Sequence, residues 1–578
     1  MQDLATLRAG GYRDAGLTKL KITEPLKSFP PEIFDAGLAS TLQILDLSGT
    51  GLSALPADLG ARLPHLRIAF FSGCNFTKFP SALAGCPKLE MVAFRKNGME
   101  GFEGSEGESF DGVAFPPQLR WLILTDNKLA HIPASIGNCA RLEKCMLAGN
   151  QLTGLPDSMA NCKNLTLLRL AANRLTLLPP WLLTMPKLAF LSFAGNPCSS
   201  PAKISTDTRP STTPSLPYVD WNQIEIHHVL GEGASGIISK GTIRSSNSGN
   251  ISGNSSRGPS STLNSRGPSG FNTPSLSGTS TPALSVSGAS VFSNVSSLSA
   301  LSAVSSTSNS ISTPSSLSLS PSTPVAVKIF RGALTSDGTP YDEMAACLAA
   351  GQHVNLVQVH GQIRWNDDEA EAEAEAEAEK EAEKEAAPAF RGGLIMELIP
   401  PQYRVLGNPP SFDSCTRDSF DSDASAAGLP IPAALKILSG VASAAAHLHA
   451  RGIAHGDLYA HNILVARGDA AKKEDKDATH AILSDFGAAT LYGSAAGSQE
   501  GEANTLAGLE KLEVLAFAHL IEDVLGLMGR DDSTSSASAA VRVGLLSLHT
   551  RCIIPAVADR PVFSTIVEDL AAVQAVAA

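Results

Sequence analysis

At 578 residues the chain is too long for one compact unit and has room for about three to four domains of ~150 residues. Hydrophobic residues at 43% can build cores, whereas aromatics at 5% indicate that part of the length is unpacked. Of the net charge of −12, residues 367–385 carry −9 through eleven acids and two lysines, so the rest is nearly neutral and lacks the clustered positive charge of a nucleic-acid or anionic-membrane surface. Residues 1–27 have no apolar h-region and no run of ~18 uninterrupted apolar residues occurs, so a cytoplasmic protein without a membrane span is expected.

In residues 1–198 one phrase recurs: LQILDLSGTGLSALP from Leu42, LRWLILTDNKLAHIP from Leu119, LEKCMLAGNQLTGLP from Leu142 and LTLLRLAANRLTLLP from Leu165. Its leading residues Leu42, Leu66, Leu89, Leu119, Leu142, Leu165 and Leu188 are mostly 23 or 24 apart. The pattern LxxLxLxxNxL resembles a leucine-rich repeat, which implies an α/β solenoid of about seven to eight stacked coils. Its ninth-position asparagines (Asn97, Asn127, Asn150, Asn173, Asn196) suit an amide bonded both to its own turn and to the next coil. Thr50 and Cys74 replace them in the first two units, so that end should be less regular.

Six of nine cysteines lie here, and Cys86, Cys139 and Cys162 share one slot of the repeat, which reads as buried thiols rather than a zinc site or disulfides. Between the leucines, Ile44, Ile68, Met91, Trp121, Lys144, Leu167 and Phe190 form an outward column with six apolar members. Such a stripe on a concave sheet suggests a docking surface for a protein partner, centred on Trp121 and Phe190. The unit from Leu89 is seven residues longer and holds an acidic Gly-rich surface loop, GFEGSEGESFDG.

Residues 199–220 read as a Ser/Thr/Pro linker. Thereafter motifs follow in a fixed order: IEIHHVLGEGASGIISKG with Gly231, Gly233, Gly236 and Ile238; VAVK ending at Lys328; Glu343 in DEMAACLAAG; the apolar strand GLIMEL; HGDLYAHNIL over 455–464; and ILSDFG with Asp485. A glycine loop alone is equally a hairpin turn, but in this order residues 221–575 resemble a eukaryotic-type, tyrosine-kinase-like protein kinase domain. The implied fold is a two-lobed α+β kinase following the solenoid.

The resemblance implies an ATP- and Mg2+-dependent enzyme that phosphorylates protein hydroxyls, those of Ser/Thr on overall resemblance alone. Lys328 would hold the α and β phosphates and be held by Glu343, with Asp342 as the rival acid. Asp457 would orient the attacking hydroxyl and accept its proton. Asn462 and Asp485 would ligate magnesium. The adenine slot would comprise Leu230, Ala326, Met396 as gatekeeper, Glu397, Leu398 and Leu464.

Several positions depart from the family. Gly456 stands where most members carry arginine, which suggests that loop phosphorylation on Thr490, Tyr492 or Thr505 is not the main switch. Tyr459 replaces the phosphate-contacting lysine, with His461 as a candidate substitute donor. No APE follows the DFG; Glu513 in LEVLAFA resembles the aspartate of SDVWSFG, and Arg560 lacks its usual partner, leaving Glu510. Residues 245–324 hold 31 serines and no acid and should be a disordered insert with several Thr-Pro and Ser-Pro sites; the Glu/Ala-rich insert 366–389 should be a solvated arm. These departures leave two rivals open: a scaffold with an inactive kinase fold, and an enzyme phosphorylating small molecules.

Overall fold

The computed structural model describes residues 2–104, 112–199, 216–233, 235–244, 323–330, 334–335, 337–365, 392–421, 428–466, 479–493, 500–528 and 536–577, with the side chains of 500–506 excepted. The serine-rich insert, the Glu/Ala-rich arm, most of the linker and of the acidic loop, and the Thr505 side chain lie outside the described residues.

The repeats form an eight-stranded parallel sheet of three-residue strands, from Lys19–Lys21 to Phe190–Ser192, each paired in register with its neighbour. Strands this short alternate faces as required. Leu45, Leu122 and Leu168 point inward with no exposed surface, joined by Leu42, Leu66, Leu89, Leu119, Leu142, Leu165 and Leu188. On the convex side a proline in extended backbone precedes each short 3-10 turn, as Pro133 does for Ala134–Asn138 and Pro156 for Asp157–Asn161. The cysteines have no disulfides; Cys86, Cys139 and Cys162 are buried on this side, and burial pushes the Cys86 and Cys162 thiols up to about 11.

The asparagine ladder runs the opposite way from the expected one. Asn150 Nδ2 donates to Leu147 O in its own turn and Leu124 O in the preceding coil (both 2.9 Å), and its Oδ1 accepts from Leu129 N (3.1 Å). Each amide thus locks its coil to the one before it, because the preceding turn presents an N–H without a backbone acceptor and a carbonyl that accepts a second donor beside its own turn's asparagine. At the first units Thr50 Oγ1 and Cys74 Sγ both donate to Leu47 O, each replacing only part of that set.

The C-terminal half has a smaller lobe around a six-stranded sheet. In spatial order its strands are Tyr218–Asp220, Val359–Arg364, Gly393–Glu397, Pro324–Phe330, Gly236–Ile243 and Ile224–Gly233. The glycine motif is a hairpin here, closing at Gly233 and Gly236. Gly236 has φ 153°, and a Cβ there would come within 2.1 Å of Ile329 O, so no other residue fits. The larger lobe is helical. Its central helix Ile431–His449 is apolar enough to cross a membrane by length and composition, yet it is the lobe's core, packed on helix Phe563–Ala577 and strand His480–Leu483.

A single apolar core crosses from the repeats into the larger lobe, with Ile68, Met91, Trp121, Leu167 and Phe190 in one cluster with Leu438, Leu458 and Phe517. The column expected to be exposed is therefore covered: Trp121 is 3% and Phe190 1% accessible. Its occupant is the chain's own C-terminal half.

Replacing Asn150 with Ala leaves the buried Leu129 N–H without its acceptor and removes one of the two amide donors on each of Leu124 O and Leu147 O, so the repeat half should lose roughly 2 kcal/mol. Circular-dichroism melting of Asn150→Ala checks this; a change under about 1 kcal/mol would contradict the ladder's role.

Candidate functional site

Lys328 sits at the centre of the strand Pro324–Phe330, opposite Leu394 and Ile238, with its ammonium on the inner face. Helix Pro340–Ala350 starts at Thr339, whose side chain accepts from Asp342 N, and one turn in it presents Glu343. Lys328 Nζ is paired with Glu343 Oε1, both groups almost fully buried. Asp342, the rival, instead takes the Thr339 hydroxyl at 2.6 Å. Burial lowers the Lys328 ammonium, but the Glu343 charge outweighs it and holds the group above its usual range.

The segment His455–Asn462 is held from beneath by Glu513. Its Oε1 accepts from Gly456 N (2.6 Å), and its Oε2 accepts from His455 N (3.2 Å) and lies 2.6 Å from His449 Nε2. Glu513 is the residue that stands at the aspartate position of the SDVWSFG-like motif. Asp457 follows, and Asn462 Nδ2 donates to both its carbonyl (2.9 Å) and its Oδ2 (3.0 Å). His461 is engaged elsewhere: Asp418 of the SCTRD segment accepts from His461 N (3.0 Å) and lies 2.7 Å from Nδ1. Burial pulls the His461 imidazole down, and the Asp418 carboxylate more than offsets it, leaving the ring above its usual value.

Two oxygen donors suit a hard divalent cation. Asn462 Oδ1 is buried without a hydrogen-bond partner. Asp485, in left-handed backbone at φ 62°, accepts from Gly487 N with Oδ1 (3.0 Å). Its carboxyl is pushed up to about 6, first by burial and then by the Glu343 charge, the situation a bound cation would relieve. Among the described residues no cluster of three or more His, Cys, Asp or Glu side chains forms a further metal site. Of the adenine-slot residues, Ala326 pairs with Met396 and Val325 with Glu397, placing the slot beside the lysine strand; Leu464 is buried below it with Val357 and Ile482, while Leu230 and Leu398 are half-buried.

One group in this site comes from the repeats. Arg169, on the strand Leu167–Arg169, donates from Nη2 to Asp457 Oδ1 (2.5 Å), from Nη1 to Gly456 O (2.8 Å) and from Nε to Asp337 Oδ1 (2.8 Å). It belongs to the second outward column, Asp46, Phe70, Ala93, Ile123, Met146, Arg169 and Ser192, which the sequence reading passed over. Its signal was there: a lone basic residue in a mostly apolar column. Arg560, expected near Glu510, donates instead to the carbonyls of Ile554, Lys511 and Pro186, the last in the repeats, while Glu510 accepts from Phe563 N.

A leucine-rich-repeat family model matches residues 117–175, and the lipopolysaccharide kinase (Kdo/WaaP) family model matches residues 429–505, which span the catalytic loop and Asp485. No curated relative matches the chain. Among solved structures, a leucine-rich-repeat protein from Leptospira interrogans is 26% identical over 32% of this chain and 51% of its own, with a TM-score of 0.26. The chain aligns with about half of that protein's length. A repeat solenoid joined to a kinase-like half is what the matches support.

Lys144, beside Arg169, is 2% exposed with Nζ 4.2 Å from the Trp121 ring centroid. Burial lowers its ammonium to about 8; the Asp457 and Asp418 carboxylates pull upward and Arg169 pushes down. The unfolded chain thus binds more protons between pH ~8 and the ordinary lysine value, so stability rises with pH across that window. Lys144→Met should raise the melting temperature at pH 7 by removing a cost on the order of 2–3 kcal/mol, and the gain should shrink by pH 10. Scanning calorimetry at both pH values checks this, and an equal gain at both would contradict it.

Proposed function

We propose that the C-terminal half is an ATP- and Mg2+-dependent phosphotransferase acting on protein hydroxyls, most plainly those of Ser and Thr, with the repeats as its recognition or regulatory module. The observation that carries this reading is the buried Lys328–Glu343 pair facing a cleft in which Asn462 braces Asp457. Phosphoryl transfer needs position and neutralised charge more than covalent chemistry. Lys328, fixed by Glu343, anchors the α and β phosphates. Asp457 orients the attacking hydroxyl and takes its proton, its geometry set by Asn462 and by Glu513 beneath the loop. Bound magnesium, held by Asn462 and Asp485, would neutralise phosphate charge. Gly231, Gly233 and Gly236 let backbone amides approach the phosphates, and Leu230, Ile238, Ala326, Glu397, Leu398 and Leu464 enclose the base.

The match to a lipopolysaccharide kinase family over 429–505 favours a second reading, in which the acceptor is a sugar hydroxyl. The two are separated by incubating the purified chain with labelled ATP and magnesium, once with a generic protein and once with a phosphate-free lipopolysaccharide core sugar, beside an Asp457→Ala control.

Asp485→Asn removes a buried negative charge that faces Glu343, so it should leave the melting temperature at pH 7.5 unchanged or higher while transfer falls below ~1% of wild type. Lys328→Met would strand the Glu343 carboxylate and is best made with Glu343→Gln; that pair should fold and also fall below ~1%. Activity above ~10% in both would place the chemistry elsewhere.

A further inference from the structure

The Lys328–Glu343 pair is assembled, while the last two repeat coils pack against residues 456–459 through Arg169 and Phe190. A hydroxyl to be phosphorylated must donate to the Asp457 carboxylate. Each oxygen already accepts one bond, Oδ2 from the bracing Asn462 and Oδ1 from Arg169 of the repeats, whose guanidinium lies on the side the hydroxyl would need. Two residues on, the Tyr459 ring lies flat against Phe190, with centroids 3.8 Å apart and planes 8° from parallel. In the segment after Asp485, the Thr490 hydroxyl accepts from Phe193 N (3.1 Å) and is fully buried. Ser192 Oγ donates to Asp337 O (3.2 Å), and Arg560 reaches Pro186 O (2.7 Å). A Cβ on Gly456 would lie 3.0 Å from Leu191 O and 2.6 Å from Ala488 O, so the close approach of this repeat strand depends on glycine.

We propose that the concave repeat face is an intramolecular cover on the acceptor side of Asp457, with Arg169 as the group it inserts, so that a macromolecular hydroxyl is reached only when these coils lift. This rests on the phosphotransferase reading for its consequence, though the cover itself stands on the contacts. The seam buries two cations, Arg169 and Lys144, beside its apolar contacts, and their desolvation offsets part of what those contacts supply. A protein that competes for the concave face then acts as an activator by shifting the closed population toward the open one.

The test compares the full chain with Arg169→Ala and with Arg169→Ala/Phe190→Ala, using labelled ATP, magnesium and casein. Amide hydrogen exchange over 453–464, binding of a nucleotide analogue and the melting curve are measured on the same samples. Expected are at least a tenfold faster transfer, faster exchange in that segment, and nucleotide affinity within twofold of wild type. If the double variant is poorly folded, Arg169→Ala and Asp337→Ala, each removing one anchor, must show the same signs. Faster exchange with no phosphotransfer to any acceptor by any of the chains supports the cover and overturns the kinase reading instead. Unchanged exchange and rate overturn the cover. So does a lower rate in Arg169→Ala that Arg169→Lys restores, since Arg169 would then be assisting Asp457.

Discussion

The Arg169 guanidinium, 2% exposed and held between Asp337 and Asp457, is the interaction around which the two halves are organised. A buried guanidinium is tolerable only with its donors paired, and here two carboxylates and one carbonyl meet all three of its nitrogens. Those partners lie on different parts of the C-terminal half: Asp337 precedes the helix that carries Glu343, and Asp457 lies in the catalytic loop. The repeat strand therefore touches both the element that positions the lysine pair and the residue that would meet the acceptor.

Seen from this contact, the departures from the kinase pattern form one set. Gly456 leaves room for Leu191 O, where an arginine could not fit against the repeat strand. Tyr459 offers Phe190 a flat partner in place of a lysine. Arg560 has no APE glutamate to meet and spends its donors on carbonyls, one of them Pro186 O. Tyr492, whose hydroxyl lies 2.7 Å from His449 Nδ1, and Thr490, beneath Phe193, are both engaged internally. Substitutions that read singly as losses of function are jointly the receiving surface for the solenoid.

Much of this was legible in the chain. The leucine spacing gave the sheet its phase, because a three-residue strand inverts if shifted by one. The motif order placed Lys328, Glu343, Asp457, Asn462 and Asp485, since each lies in a short segment with its own local signature. The direction of the asparagine ladder was misjudged, as an amide's two faces look alike in sequence and only the stacking shows which coil offers free groups. The apolar column was expected to meet a separate protein; in the structure the chain's own C-terminal half covers it, with Tyr459 lying 269 residues downstream of Phe190, a distance that sequence pattern does not reveal. Arg169 lies in the second outward column, where the sequence pattern carries no signal beyond one basic residue among mostly apolar ones.

The central claim is that the concave face is seated on the catalytic loop's surroundings through Arg169. A double-mutant cycle between Arg169→Ala and Asp337→Asn, read as unfolding free energy by chemical denaturation of the full chain, tests it without touching Asp457. The seated arrangement predicts that the two changes are non-additive by more than ~1 kcal/mol, as for groups in direct buried contact. Effects that add within ~0.5 kcal/mol would contradict it, for then residues 168 positions apart would not be sharing a bond in solution.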